Sequence, residues 1–189
     1  MPYNLLGDKM LTLLTKEEII DIYNKYMVED FPPDELKPLS SMLSMLDRGI
    51  YACYGLFKGE TLLAYAYLTV LDDIVLVDYL AVVKEVRGSG IGSQFLLELK
   101  GLLKDKIIII ECENPDFAIS ESDKTTKIRR IEFYKRGGFV VSDVTTNLFG
   151  VEYVILSFPK SQNTAHLLEK IYIEMLGRKV CSEKLIIKS

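Results

Sequence analysis

The stretch "VKEVRGSGIGSQFLLELK", Val83–Lys100, sets glycines at 88, 90 and 92 between a strand-like apolar run, "IVLVDYLAVV", and an apolar run with helical character. Glycine reaches positive φ at little cost. "RGSGIG" can therefore turn several backbone N–H groups to one side and form an anion-binding nest. A helix opening near Gly90 adds its unpaired N–H groups and the positive end of its dipole. Arg87 supplies a full positive charge, and Ser89 and Ser93 supply hydroxyls. This set of groups suits a pyrophosphate. The alternative use of the same glycines is a turn chosen for tight packing.

The nucleotide P-loop, GxxxxGK[ST], is excluded because no lysine follows the glycines. The dinucleotide fingerprint GxGxxG is nearly met by Gly88, Gly90 and Ser93, and Glu111 ends the next strand about where a ribose-binding carboxylate would stand. That reading expects glycines directly after the strand, whereas Lys84-Glu85-Val86-Arg87 intervenes. It also expects an all-parallel sheet. Here "IYACYGLF", "TLLAYAYLTV" and "IVLVDYLAVV", joined by "KGE" and "LDD", predict an antiparallel meander ahead of the glycines.

Other elements follow from period and punctuation. "LTLLT" predicts a first strand. Thr15 and Glu18 form a capping box, with a helix from Lys16 to about Val28 that "EDFPPDE" breaks. A second helix is expected over Leu36–Leu46, stopped by Gly49. After the glycine-led helix, which should run to about Leu103, "KIIIIEC" reads as a strand covered on both faces. "KTTKIRRIEFYKR" reads as a helix ending at Gly137-Gly138, and "FVVSD" and "VEYVILSF" as two final strands. "SQNTAHLLEKIYIEML" is an amphipathic helix with Leu167, Leu168, Ile171, Met175 and Leu176 on its apolar stripe. The tail "KVCSEKLIIKS" is compatible with a strand or a loose end. The class is α+β, a three-layer α/β/α arrangement around a mixed, mostly antiparallel sheet.

At 189 residues the chain buries a core without staples. Its net charge of −4 argues against nucleic acid as the main partner. Cys53, Cys112 and Cys181 form no CxxC pair and suggest neither a disulfide framework nor a zinc site, so the expectation is reduced thiols in a cytoplasmic protein without a metal. No apolar run approaches a membrane span, and "MPYNLLGDKM" lacks the pattern of a signal peptide. The only histidine, His166, has no nucleophile motif around it and reads as a surface or packing residue.

"DYLAVVKEVRGSGIGSQFLLEL" resembles the acetyl-coenzyme A motif of the GNAT superfamily of N-acetyltransferases, [RQ]xxGx[GA], through Arg87, Gly90 and Gly92. "RRIEFYKRGGF" resembles that family's later segment, a helix carrying a tyrosine before a Gly-Phe strand entry. The order of elements from Leu11 to Phe158 is similar to the family's as well. The resemblance implies a GNAT acyl-CoA N-acyltransferase domain over 1–158. Residues 159–189 would be a C-terminal helical extension, docked on the same domain or forming a homodimer contact.

Acetyl-CoA would be the co-substrate, with pantetheine against the main chain of Leu80, Ala81 and Val82. The pyrophosphate would lie on the N–H groups of Gly88, Ser89, Gly90, Ile91, Gly92 and Ser93, with Arg87 at the rim. Tyr134 matches the family's tyrosine near the cofactor sulfur, where a phenol with a pKa of about 10 can protonate the departing thiolate. For the base, Glu111 ranks ahead of Glu113 and Asp78, because a carboxylate ending an apolar strand is partly desolvated. The family often carries Asn seven residues before the tyrosine. Lys127 stands there instead, Asn114 is twenty residues before Tyr134, and "PDFAISESDKTT" reads as an inserted loop. The acceptor would be a primary amine of a small molecule or peptide, and Glu29, Asp30, Asp34 and Glu35 around the Pro-Pro loop favour a cationic one. The alternatives are a non-catalytic acyl-CoA sensor and a dinucleotide-dependent oxidoreductase.

Overall fold

A computed structural model describes residues 3–6, 8–33 and 35–189, with residues 3–6 as backbone alone; Asp34, one of the acidic residues named above, lies outside them. The chain divides into two compact units, Met1–Val70 with Asp78–Leu102 and Leu71–Val77 with Leu103–Ser189.

In the first unit, β2 (Lys9–Leu13), β3 (Tyr51–Lys58) and β4 (Thr61–Leu71) pair antiparallel in succession, with a short β1 (Tyr3–Leu6) on the outer side of β2. The expected meander is present, and β5 (Ile74–Val82) follows β4 in the sheet. Leu62–Thr69 of β4 are all buried. Its fully buried tyrosines need partners for their hydroxyls. Tyr65 donates to Asp30 at 2.7 Å and Tyr67 to the Ile19 carbonyl at 2.8 Å.

Ile19 belongs to α1 (Lys16–Ile22), which opens on the capping box: Thr15 Oγ1 accepts from the Glu18 N–H and Glu18 Oε2 from the Thr15 N–H. The helix passes through a π-helical stretch, Tyr23–Met27, into α2 (Val28–Asp30) and ends where Phe31 is extended ahead of Pro32-Pro33. The next helix, α3 (Leu39–Asp47), begins three residues later than Leu36 because Lys37 gives its N–H to the Tyr79 hydroxyl and Pro38 stands at the cap. Beyond β5 a 3-10 turn, Lys84–Val86, leads through the glycines into α4 (Ile91–Leu102), which buries Ile91, Phe95, Leu96 and Leu99.

In the second unit, Ile74–Val77 of β5 run parallel to β6 (Ile107–Glu113), and that ladder ends at Val77↔Ile110. β6 pairs antiparallel with β8 (Val151–Phe158), β8 with β7 (Val140–Leu148), and β7 with β9 (Leu185–Lys188). The tail is therefore ordered, as α7 (Arg178–Lys184) and β9. Between β6 and β7 runs α5 (Glu121–Arg136). The helix expected from Lys124 begins three residues earlier, at Glu121, within the stretch read as an inserted loop: Ser120 caps the Asp123 N–H at 3.1 Å, and Lys127 pairs with Asp123 one turn on at 2.9 Å. The late helix, α6 (Thr164–Leu176), buries Leu168, Ile171 and Met175 as its stripe required, together with Tyr172, and stops at Gly177 with φ +83°. His166 is exposed. The class is α+β with a mixed, mostly antiparallel sheet.

Candidate functional site

The glycine stretch lies in the first unit at the junction of β5 and α4. Gly88 (φ +79°) and Gly90 (φ +85°) sit in the left-handed region that side chains disfavour. A Cβ built on either meets no atom within 4 Å. Backbone conformation, not crowding, accounts for glycine at both positions, which removes the tight-packing reading. The first helical bond of α4 runs from the Gln94 N–H to the Gly90 carbonyl at 3.1 Å. Among the described residues, the six consecutive N–H groups from Gly88 to Ser93 donate to no protein acceptor. Ser89 Oγ donates to the Val86 carbonyl and ties the loop to the turn before it.

Arg87 is placed differently from a free cation at the rim. Its Nε donates to the Val82 carbonyl at 2.9 Å and its Nη2 pairs with Asp30. The side chain thus staples the loop to the last residue of β5 and to the end of α2. Asp30, counted from sequence among acidic groups facing a cationic acceptor, is occupied by Arg87 and Tyr65. Leu80, Ala81 and Val82 are half-buried and lie past the end of the β6 ladder. One residue past that ladder, Asp78 takes Lys37 Nζ on Oδ1 and the Tyr51 hydroxyl on Oδ2.

Tyr134 and Glu111 lie in the second unit. Tyr134 is on the last turns of α5, 6% exposed, with ring neighbours Phe133 at 5.0 Å and Phe139 at 5.9 Å. Phe133 is less buried than Tyr134. Burial pushes the Tyr134 phenol well above its ordinary pKa, Cys112 adds to that, and Arg130 opposes it. Its hydroxyl has no hydrogen-bond partner among the described residues. It is a phenol that stays protonated and has its proton free to give.

Glu111 Oε1 accepts from Thr146 Oγ1 on β7 and from the Tyr172 hydroxyl on α6. Glu113 is held by Lys127 at 3.1 Å and Arg130 at 3.3 Å. Lys127, at the position where an asparagine was expected, thus serves as a buried counter-ion to Glu113 and Asp123. Between them, Cys112 is fully buried, its thiol pushed up to about 12 by burial.

Sequence reading missed the partners. Tyr172 lies 61 residues from Glu111, Asp30 lies 57 from Arg87, and Lys37 lies 41 from Asp78. No local pattern links positions that far apart. Among the described residues, no cluster of three or more His, Cys, Asp or Glu is placed to hold a metal, and no helix is long and apolar enough to cross a membrane.

A family model described as "Acetyltransferase (GNAT) family" matches residues 16–139. The chain is 27% identical over 146 residues, 75% of its length and 72% of the relative's, to the Bacillus subtilis (strain 168) protein named "Putative acetyltransferase YjbC". Among solved structures it is similar to the Bacteroides thetaiotaomicron protein titled "Putative acetyltransferase from GNAT family", with a TM-score of 0.73 at 22% identity over 88% of this chain and 98% of that one. It is also similar to a Bacillus subtilis acetyltransferase in complex with CoA, with a TM-score of 0.52 at 17% identity over 78% and 95%.

Proposed function

The chain belongs to the acetyltransferase (GNAT) family, with acetyl-CoA as its co-substrate, and on that premise we propose that it moves acetyl to a primary amine of a small molecule or peptide by direct attack. The observation that carries the reading is the run of unspent N–H groups from Gly88 to Ser93, a pyrophosphate cradle at the mouth of α4. Arg87 holds the cradle in shape through Val82 and Asp30 and lends it positive charge. The main chain of Leu80 and Ala81 offers a pairing edge to the pantetheine arm, with Val82 beside them.

The acceptor nitrogen attacks the thioester carbonyl, the N–C bond forms and the C–S bond breaks. The thiolate takes the Tyr134 proton, which burial keeps in place at neutral pH. Glu111, oriented by Tyr172 and Thr146, takes the proton that the amine loses. Residues 1–158 carry every group in this scheme except Tyr172, which the segment 159–189 supplies.

Calorimetric titration with acetyl-CoA, CoA and NAD, followed by a thiol-release assay over a broad panel of primary amines, tests the reading. The expected result is binding of both CoA species, none of NAD, and thiol release that requires an amine. Binding of CoA with no amine consumed would replace the enzyme by an acyl-CoA sensor. Binding of NAD alone would replace it by the oxidoreductase reading.

A further inference from the structure

Asp78 is the first residue of β5 beyond the β6 ladder and stands two residues ahead of Leu80, within the first unit. Its carboxylate side chain is 5% exposed. Tyr51 donates to Oδ2 at 2.6 Å, and Lys37 Nζ meets Oδ1 at 2.5 Å. The same ammonium lies over the Tyr79 ring, 5.3 Å from its centroid. Lys37 is 25% exposed, so the carboxylate is enclosed while the cation is reachable from solvent. A carboxylate, a phenol and an aromatic face around one alkylammonium are the groups that recognise a primary amine in its charged form.

The ammonium is not what holds the segment between α2 and α3 in place. Main-chain bonds do that: the Lys37 N–H to the Tyr79 hydroxyl at 2.8 Å, the Tyr79 hydroxyl to the Glu35 carbonyl at 2.9 Å, and the Tyr23 hydroxyl to the Lys37 carbonyl at 3.1 Å. Phe31 adds an edge contact to the Tyr79 ring at 4.9 Å. An enclosed ion pair also returns little net stability, because desolvation offsets its attraction. The Lys37–Asp78 pair is thus surplus to the fastening of the segment, and it sits on the strand that carries the main chain assigned to the cofactor.

We infer that Asp78, Tyr51 and Tyr79 form the subsite for the ammonium group of the acceptor, and that Lys37 is its resident occupant, a tethered amine that an incoming acceptor must displace; the bound ammonium gives one proton to water before its nitrogen attacks the thioester, and Glu111 takes the second as the amide forms. The inference rests on the amine-acetylation reading above and narrows its substrates to alkylammonium compounds. Displacement has a measurable consequence. An acceptor binds only the fraction of molecules whose subsite is open, so its apparent affinity is reduced by that fraction. If Lys37 fills the subsite about nine-tenths of the time, removing its side chain improves the apparent affinity about tenfold.

The probe is n-propylamine, which replaces the atoms that Lys37→Ala removes. By calorimetry, n-propylammonium should bind Lys37→Ala about tenfold more tightly than the wild-type chain, 1-propanol should bind neither, and adding Asp78→Asn should abolish the binding. In turnover with acetyl-CoA, Lys37→Ala should lower the KM for n-propylamine about tenfold with little change in kcat. Lys37→Met, which keeps the apolar stem without the charge, repeats the turnover measurement if the alanine variant folds poorly. A KM that is unchanged or raised in both variants, or binding that survives Asp78→Asn, overturns the proposal. If neither chain turns over any amine, the acetyl-transfer reading fails, and with it the role of an acceptor subsite, while calorimetry still reports whether the cage binds ammonium.

Discussion

Tyr134 has a buried ring, while its hydroxyl has no protein partner among the described residues and is not itself sealed from solvent, Thr69 Oγ1 being the one fully buried side-chain polar atom left unpartnered there. A buried phenol usually finds an acceptor, and Tyr65, Tyr67 and Tyr79 in this chain all do. Replacing Tyr134 with Phe removes only the hydroxyl and keeps the ring contacts to Phe133 and Phe139. Stability should hold, since no hydrogen bond is lost. If the hydroxyl protonates the thiolate, kcat should fall by roughly 10²–10⁴, the usual contribution of a positioned acid, with the dissociation constant for acetyl-CoA nearly unchanged. A variant with wild-type kcat in a single-turnover assay would remove Tyr134 from the mechanism. The three candidate carboxylates behave in the opposite way. Glu111, Glu113 and Asp78 each have protein partners, and those partners set them apart: hydroxyls for Glu111, two cations for Glu113, a lysine and a phenol for Asp78.

At the scale of elements, sequence signals worked where structure is decided locally and faded where it is decided at a distance. The capping box at Thr15 is a case of the first kind. Both of its reciprocal bonds are present, and the helix it starts runs unbroken through a π-helical stretch to Asp30. Thr15→Ala should cost about 1 kcal/mol in urea unfolding, and Thr15→Ser close to nothing; equal losses in both would show that the hydroxyl is not the cause. The meander, the glycine junction and the buried β6 were legible for the same reason, since period and breakers are local. The start of α5 was not, because Ser120, Asp123 and Lys127 cap it through side chains in a polar run with no apolar period. β9 was ambiguous because four residues of alternating burial gain their strand character only by pairing with β7. The cradle was readable from its glycines, whereas the clasp of Arg87 on Asp30 in the first unit and that of Tyr172 on Glu111 in the second are made by tertiary contact alone.

For the molecule as a whole, the buried phenols and thiols set a limit at high pH. Burial raises the pKa of Tyr51, Cys53, Tyr65, Tyr67 and Tyr79 in the first unit and of Cys112, Tyr134 and Cys181 in the second. Each group keeps its proton in the folded chain at a pH where the unfolded chain has lost it. Its contribution to stability is complete below the unfolded pKa, about 8.5 for a thiol and about 10 for a phenol, and is lost as pH rises toward the folded value. While the folded form stays protonated, each group lowers stability by about 1.4 kcal/mol per pH unit. Lys127 and Lys170, raised by hydrogen bonds to Asp123 and Asp72, lose their contributions in the same direction. Against a total stability of about 5–15 kcal/mol, the loss from these buried acids should unfold the chain between about pH 10 and 11. Circular dichroism and phenolate absorbance followed together test this. Five of the eleven tyrosines are in the raised set, and they should ionise only as the dichroism is lost. Five of the eight raised phenols and thiols belong to the first unit, so protease cuts at rising pH should appear first within residues 8–70 and 78–102. Smooth ionisation of all the tyrosines near pH 10 with the dichroism intact would mean that the burial read from the structure does not hold in solution.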